Sequence, residues 1–265
     1  MLTTEVDTAQ LAVVRAIYED AFPADLRADF DSLLDDRLVV RVAEGGAPEG
    51  LAVLRPLGGT GWVFLRYYAV GVRGGGVGTA MLGELAALLA EHWDGYRGFI
   101  ILHGTDTMAY SAAALSFMLG ASERNVLFTG SQVPLGLPRS DAVAHLQAAL
   151  QLAAGPRLRN VGLVFNNRLL NGSRLRKVSS QQFPAFDTPN AAPLAELNIR
   201  PQLHTARLLG EETASRHPRE AAALDFQPGA VAMLSLHPSM PTALYDAILA
   251  DNNCKAVVLQ SFGAG

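Results

Sequence analysis

The hexapeptide His103-Gly104-Thr105-Asp106-Thr107-Met108 sets a hydroxyl beside a carboxylate at the end of a short apolar run, Gly98-Phe99-Ile100-Ile101-Leu102. A hydroxyl can attack an acyl carbon once a base takes its proton, and a nearby carboxylate can orient and charge-balance that base. The apolar run reads as a buried parallel strand. Open α/β sheets do their chemistry at the carboxyl ends of such strands. Residues 107–119 read as an Ala- and Leu-rich helix, with Ala112, Leu115, Ser116 and Leu119 at helical spacing. On residue type alone, Thr105 and Asp106 serve equally well as caps of that helix. A second candidate is the turn Arg73-Gly74-Gly75-Gly76-Val77-Gly78. Its glycines would let backbone N–H groups approach an anion at the start of the following helix. An ordinary strand-to-helix turn has the same composition.

Composition narrows the classes of partner. The 265 residues allow one large domain or two medium ones. A net charge of −4 speaks against a general nucleic-acid or anionic-membrane surface. Cys254 is the single cysteine, so no internal disulfide can form and no cysteine cluster offers a metal site. His92, His145, His204 and His237 have no metal-ligand spacing either. Neither a signal peptide nor an apolar run of membrane-spanning length is evident, so the sequence points to a cytoplasmic setting.

The elements that must position these residues follow from the patterning. Helices are expected over residues 8–20 and 25–34, then strands over 37–42, 51–54 and 62–70, and a helix over 79–91. Strands at 98–102, 125–129 and 160–165 alternate with helices over 107–119 and 142–154. Residues 200–226 are polar, contain Pro201 and Pro218, and read as a linker. Residues 230–236 and 256–260 then read as strands around a helix over 241–250. Asp141, after Ser140 at a helix start, reads as a cap.

His-Gly-Thr-Asp-Thr-Met, followed by Ala-Tyr-Ser-Ala-Ala-Ala-Leu-Ser-Phe-Met-Leu, resembles the second signature of the L-asparaginases in its cytoplasmic, type I form. The resemblance runs over about residues 80–265. It includes Thr129-Gly130-Ser131-Gln132-Val133-Pro134, Gly172 to Lys177, and Phe183-Pro184-Ala185-Phe186-Asp187-Thr188-Pro189. It implies a catalytic Thr-Lys-Asp triad at Thr105, Lys177 and Asp106, with substrate bound by Gly104, Thr105 and Asp106. It also implies hydrolysis of L-asparagine to L-aspartate and ammonia through an acyl-enzyme, with no metal or cofactor, in a homo-oligomer (a dimer or tetramer).

The front of the chain resembles a different family. Two helices and an antiparallel meander before Arg73, Gly74, Gly76 and Gly78 are similar to the first half of a GNAT N-acetyltransferase. That resemblance implies acetyl-CoA held by these four residues. The fold expected is therefore α/β: a GNAT-like α+β half-domain (1–80), an asparaginase-type domain with a mostly parallel sheet flanked by helices (81–199), a linker (200–226) and a truncated second α/β domain (227–265). Three departures weaken the implied activity. The asparaginase family's first nucleophile motif, Thr-Gly-Gly-Thr, is imitated by Leu57-Gly58-Gly59-Thr60, where leucine takes the nucleophile's place. The acetyltransferase-like segment occupies the position of the loop that supplies a substrate-binding Ser and Asp. The second domain stops after Gly265. Two positions that bind asparagine allosterically in some type I members are Arg176 and Gln260 here, so that control is not expected. The sequence thus reads as an impaired amidohydrolase. The alternatives are an acetyl-CoA-dependent acetyltransferase remnant and a non-catalytic, asparaginase-like oligomer partner.

Overall fold

The computed structural model describes residues 2–21, 24, 28–43, 45–57, 62–70, 77–224, 227 and 229–261. A short strand, β1 (Leu2–Thr3), precedes helix α1 (Thr8–Ala21) and a single helical turn at Phe30–Leu33. Three antiparallel strands follow: β2 (Arg37–Val42), β3 (Pro48–Leu57) and β4 (Trp62–Val70). The chain then alternates helix and strand through α2 (Val77–His92), β5 (Gly98–Leu102), α3 (Met108–Leu119), β6 (Asn125–Thr129), α4 (Ala142–Ala154) and β7 (Gly162–Phe165). Beyond β7 come β8 (Arg168–Asn171), the small ladder of β9 (Arg176–Lys177) with β10 (Phe186–Asp187), and the short strands β11 (Ala195–Glu196) and β12 (Gln202–Leu203). Helix α5 (Pro218–Ala222) precedes β13 (Val231–Ser235), α6 (Thr242–Ala250) and β14 (Ala256–Gln260).

Ten strands make one sheet in the order β1-β2-β3-β4-β5-β6-β7-β8-β11-β12, continuous across residue 80. Only β4 to β7 pair parallel; the other six pairings are antiparallel. The expectation of a mostly parallel sheet over 98–195 is thereby corrected to a mixed one. The reason is local. Parallel neighbours need a crossover, which α2, α3 and α4 supply. After β7 the chain instead reverses through Asn166-Asn167, at φ 44° and 58°. Two successive positive-φ residues are what a tight hairpin turn requires, and asparagine tolerates them.

Alternation along the central strands builds two cores, one on each face. Phe99, Ile101, Val126, Phe128, Leu163 and Phe165 pack with α2 and α3. Their neighbours Ile100, Leu127 and Val164 pack with Ala149, Leu152 and Ala153 of α4. With both faces covered, the strands are apolar throughout, and polar groups are confined to their ends. A third core lies under α1, where Val14, Ile17 and Tyr18 meet Val40, Val42, Leu51 and Val53. Within the segment read as a linker, α5 begins with Pro218 at its first turn and buries Ala221 against the α2–α3 core. By contrast β13 and β14, a parallel pair, leave Val231, Met233, Val258 and Leu259 more than half exposed.

Asn125 is the polar exception inside the layers. Buried at the start of β6, its amide donates to the carbonyls of Leu152 and Pro156 (both 3.0 Å), and its oxygen accepts from Leu158 N–H (2.9 Å). One side chain thus ties the end of α4 to the sheet. Asn125→Leu would strand these buried groups at about 1–3 kcal/mol each before relaxation. We expect a net loss of about 3 kcal/mol, read as a lowered urea midpoint.

Candidate active site

The carboxyl end of β5 opens into the turn that carries Gly104, Thr105 and Asp106, and α3 begins directly after it. Thr107 is the residue at the helix cap, and its side chain makes no capping hydrogen bond. Asp106 does not cap the helix either. Its Oδ1 accepts from Lys177 Nζ at 2.6 Å, and the same amine donates to Thr105 Oγ1 at 2.8 Å. Three residues from segments 71 and 72 positions apart are thus brought within one hydrogen-bond radius. The Asp106 carboxylate, which residue type alone offered equally as a cap, thus meets an amine instead of the start of α3.

Lys177 reaches this position because of what stands opposite it. In the β9–β10 ladder Lys177 pairs in register with Phe186, and Phe186 is buried edge-to-face against Phe165 of β7, with ring centroids 5.0 Å apart. The apolar partner holds the hairpin on the core while the amine points to the β5 turn. The Lys177 side chain is 21% exposed and that of Asp106 is 93% exposed, so the pair faces water on the carboxylate side. A water-facing pair gains little from Coulomb attraction alone, and its role here is geometric.

His103, also at the β5 end, has both ring nitrogens engaged. Nδ1 lies 2.7 Å from the Gly104 carbonyl and Nε2 2.9 Å from Ser111 Oγ on α3. Burial pushes its pKa below the ordinary 6.5, against the opposing effect of the hydrogen bond to Gly104.

Asp141 departs from the cap reading. It occupies the cap position of α4 but makes no capping bond. Its carboxylate instead accepts from the backbone N–H groups of Gln132 and Val133, at 3.0–3.1 Å, and so ties down the loop after β6. Beside it His145, which sequence reading passed over, accepts from Asn166 N–H at Nε2 (2.8 Å) and donates from Nδ1 to the Gly130 carbonyl (2.8 Å). These two side chains stitch the ends of β6 and β7 together behind the site. The signal available for them was weak: an Asp and a His four residues apart on one helix face.

Composition carries a further signal for Lys177. Of the chain's 21 lysines and arginines, only Lys177 and Lys255 are lysine. Guanidinium does not deprotonate in proteins, whereas an amine can. Lys177 and Lys255 are thus the chain's two side-chain amines, and Lys177 is the one that meets a hydroxyl.

The acetyl-CoA candidates stand apart from this cluster. Gly78 lies in the first turn of α2, while Arg73, Gly74 and Gly76 lie outside the described residues, as do Gly58, Gly59 and Thr60. Among the described residues no cluster of His, Cys, Asp and Glu gathers as a metal site. No helix among them is long and apolar enough to cross a membrane.

Residues 73–208 match the asparaginase N-terminal domain family, half of the chain. This chain belongs to the asparaginase family. The match begins at Arg73, so the Gly-rich turn falls inside it rather than in front of it. L-asparaginase 1 of Escherichia coli is 39% identical over 182 residues, which are 69% of this chain and 52% of that protein. The crystal structure of L-asparaginase I from Vibrio cholerae superposes with a TM-score of 0.61 at 37% identity, covering 70% of this chain and 54% of that one. A human 60 kDa lysophospholipase is 36% identical over 185 residues, or 31% of its length. The chain spans about half the length of the asparaginases it matches.

The depressed pKa of His103 makes a stability prediction for this asparaginase-family chain. Because the unfolded chain binds this proton more readily, the contribution is fully present above pH 6.5. It is lost as pH falls from there towards the folded-state value. The melting temperature should fall between pH 7 and pH 5 more steeply in the parent than in His103→Asn, measured by circular dichroism.

Proposed function

We propose that this chain is an amidohydrolase acting on L-asparagine, with Thr105, Lys177 and Asp106 as its chemical centre and Gly104, Thr105 and Asp106 holding the substrate. The observation that carries the reading is the Lys177 amine, 2.8 Å from the Thr105 hydroxyl and 2.6 Å from the Asp106 carboxylate. In its neutral form the amine takes the Thr105 proton along that contact as the oxygen attacks the side-chain carboxamide carbon. The collapsing tetrahedral intermediate expels ammonia, which leaves with the proton from the lysine. Water, deprotonated by the same amine, then opens the threonyl ester and releases aspartate. Asp106 keeps the amine aimed throughout, as the third group of a triad does.

Two features slow this chemistry. On this reading Leu57-Gly58-Gly59-Thr60 imitates the family's first nucleophile motif with leucine in the threonine's place, and Thr105 works without that second hydroxyl. The site is also open to water at Asp106, and water weakens the field that a closed site would apply to the developing oxyanion. Loss of one member of a catalytic unit costs several orders of magnitude. Ammonia release from L-asparagine should therefore be slow. It should fall a further ~100-fold or more in Lys177→Ala and equally in Lys177→Arg, which keeps the charge but not the exchangeable proton. Equal rates in parent and variants would defeat the reading.

The wider reading includes self-association into a dimer or tetramer in the cytoplasm. Exposed Tyr110 and Phe117, seven residues apart on α3, and the uncovered faces of β13 and β14 support an assembled state. A monomer by light scattering would oppose it and would also remove the non-catalytic-partner alternative.

The second reading is acetyl-CoA binding, which rests on the sequence pattern of Arg73, Gly74, Gly76 and Gly78. Saturable acetyl-CoA binding in calorimetry, abolished by Gly76→Trp, is the expected result. Absence of binding to the folded parent would remove this reading.

A further inference from the structure

We infer that His103 is a positioning residue, which fixes the 104–107 turn from both sides and thereby sets Thr105 and Asp106 against Lys177. Its mechanistic meaning rests on the amidohydrolase reading; its geometry does not.

The anchor is rigid. His103 N–H donates to the Thr129 carbonyl at 2.9 Å, extending the β5–β6 ladder by one residue. Its own carbonyl presses on Gly130 so closely that a Cβ there would collide with it. The ring leans on buried Phe128, with centroids 5.9 Å apart. From this fixed point one ring nitrogen reaches the Gly104 carbonyl, ahead of the reactive residues, and the other reaches Ser111 on the first turn of α3, behind them.

The turn needs such a brace because packing does not supply one. Nothing lies within 4 Å of where a Cβ on Gly104 would stand, and the Thr107 side chain does not cap α3. Hydrogen bonds therefore have to hold the segment. Their directions determine the tautomer. A carbonyl can only accept, so Nδ1 carries the hydrogen and Nε2 is left to accept from the Ser111 hydroxyl. Burial lowers the ring's pKa and so disfavours the doubly protonated form that would break this arrangement. With both nitrogens committed, His103 is not the base for Thr105.

The test uses the scarcity of lysine. Trace acetylation of the intact chain with acetic anhydride, read by mass spectrometry, reports Lys177 against Lys255, whose amine lies on an exposed loop and serves as internal reference. Lys177 should label several-fold more slowly than Lys255 in the parent. Ser111→Ala, which deletes one hydroxyl, should raise Lys177 labelling several-fold with Lys255 and the melting temperature unchanged. His103→Leu should raise it further, and His103→Asn, which restores a donor near Nδ1, should recover part of the difference. Unchanged Lys177 labelling in folded Ser111→Ala and His103→Asn would overturn the inference. The parent alone provides a second test, since ¹⁵N-histidine NMR should show His103 as the Nδ1–H tautomer, and an Nε2–H or averaged signal would equally overturn it. Neither measurement needs turnover. A parent that releases no ammonia defeats the amidohydrolase reading and leaves these results standing.

Discussion

One amine held at 2.6 Å from a carboxylate and 2.8 Å from a hydroxyl is the contact on which the functional architecture depends. It joins the end of β5 to a two-residue ladder that would otherwise be a surface hairpin. The hairpin is held by Phe186, which sits opposite Lys177 in register and fills the core beside Phe165. An apolar residue and a basic one on facing positions thus divide the work: the first supplies the burial, the second is delivered to the site. Burying a side chain of Phe186's size contributes about 2–3 kcal/mol, more than a water-facing ion pair supplies. The hydrophobic contact therefore determines where the amine lies.

Around that contact the sheet acts as a rigid frame. Its central strands are apolar on both faces, so their ends are the only places where polar side chains can gather at low cost. His103 and Ser111 brace the β5 turn. Asp141 and His145 lock the loop after β6 and the turn after β7. All four use hydrogen bonds to backbone or hydroxyl groups, and His145 Nδ1 also lies 3.6 Å from the Asp141 carboxylate. A scaffold of this kind keeps the reactive residues in place even though Asp106 itself is bathed in water.

The rest of the chain is less closed. β13, β14 and α6 form a small parallel unit whose apolar side chains remain exposed, in contrast to the strands from β5 to β7. At the other end of the sequence, α1 and the β2–β4 meander build their own core and then join the main sheet through β4 and β5. The continuity of the sheet at that seam comes from parallel pairing over only two residues, Phe64 and Leu65.

Much of this was legible from residue order. Apolar runs of five residues ending in polar turns located β5, β6, β13 and β14; burial on both faces accounts for those of β5 and β6, whereas β13 and β14 leave theirs largely exposed. The motif around Thr105 and Asp106, with its counterpart at Lys177, pointed to these three residues through family resemblance, and the fold brings them within hydrogen-bond distance. Periodicity alone could not point to them, since a Thr-Asp pair and a lone lysine have commoner uses as caps and surface charges. Tertiary structure alone decided the remainder. Whether Asp106 caps α3 or meets an amine depends on a hairpin more than seventy residues away, and no local pattern encodes that distance. Asp141 was read as a cap because local propensity favours it, yet the free N–H groups of a neighbouring loop outcompeted the helix for its carboxylate. The mixed sheet follows from the two-residue Asn166-Asn167 reversal, which turned β8 back where another crossover would have kept the strands parallel. What the sequence determined by itself is which segments are buried and which carry chemistry. The pairings among their ends were left to the packed fold, because they depend on groups that meet only once the cores have formed.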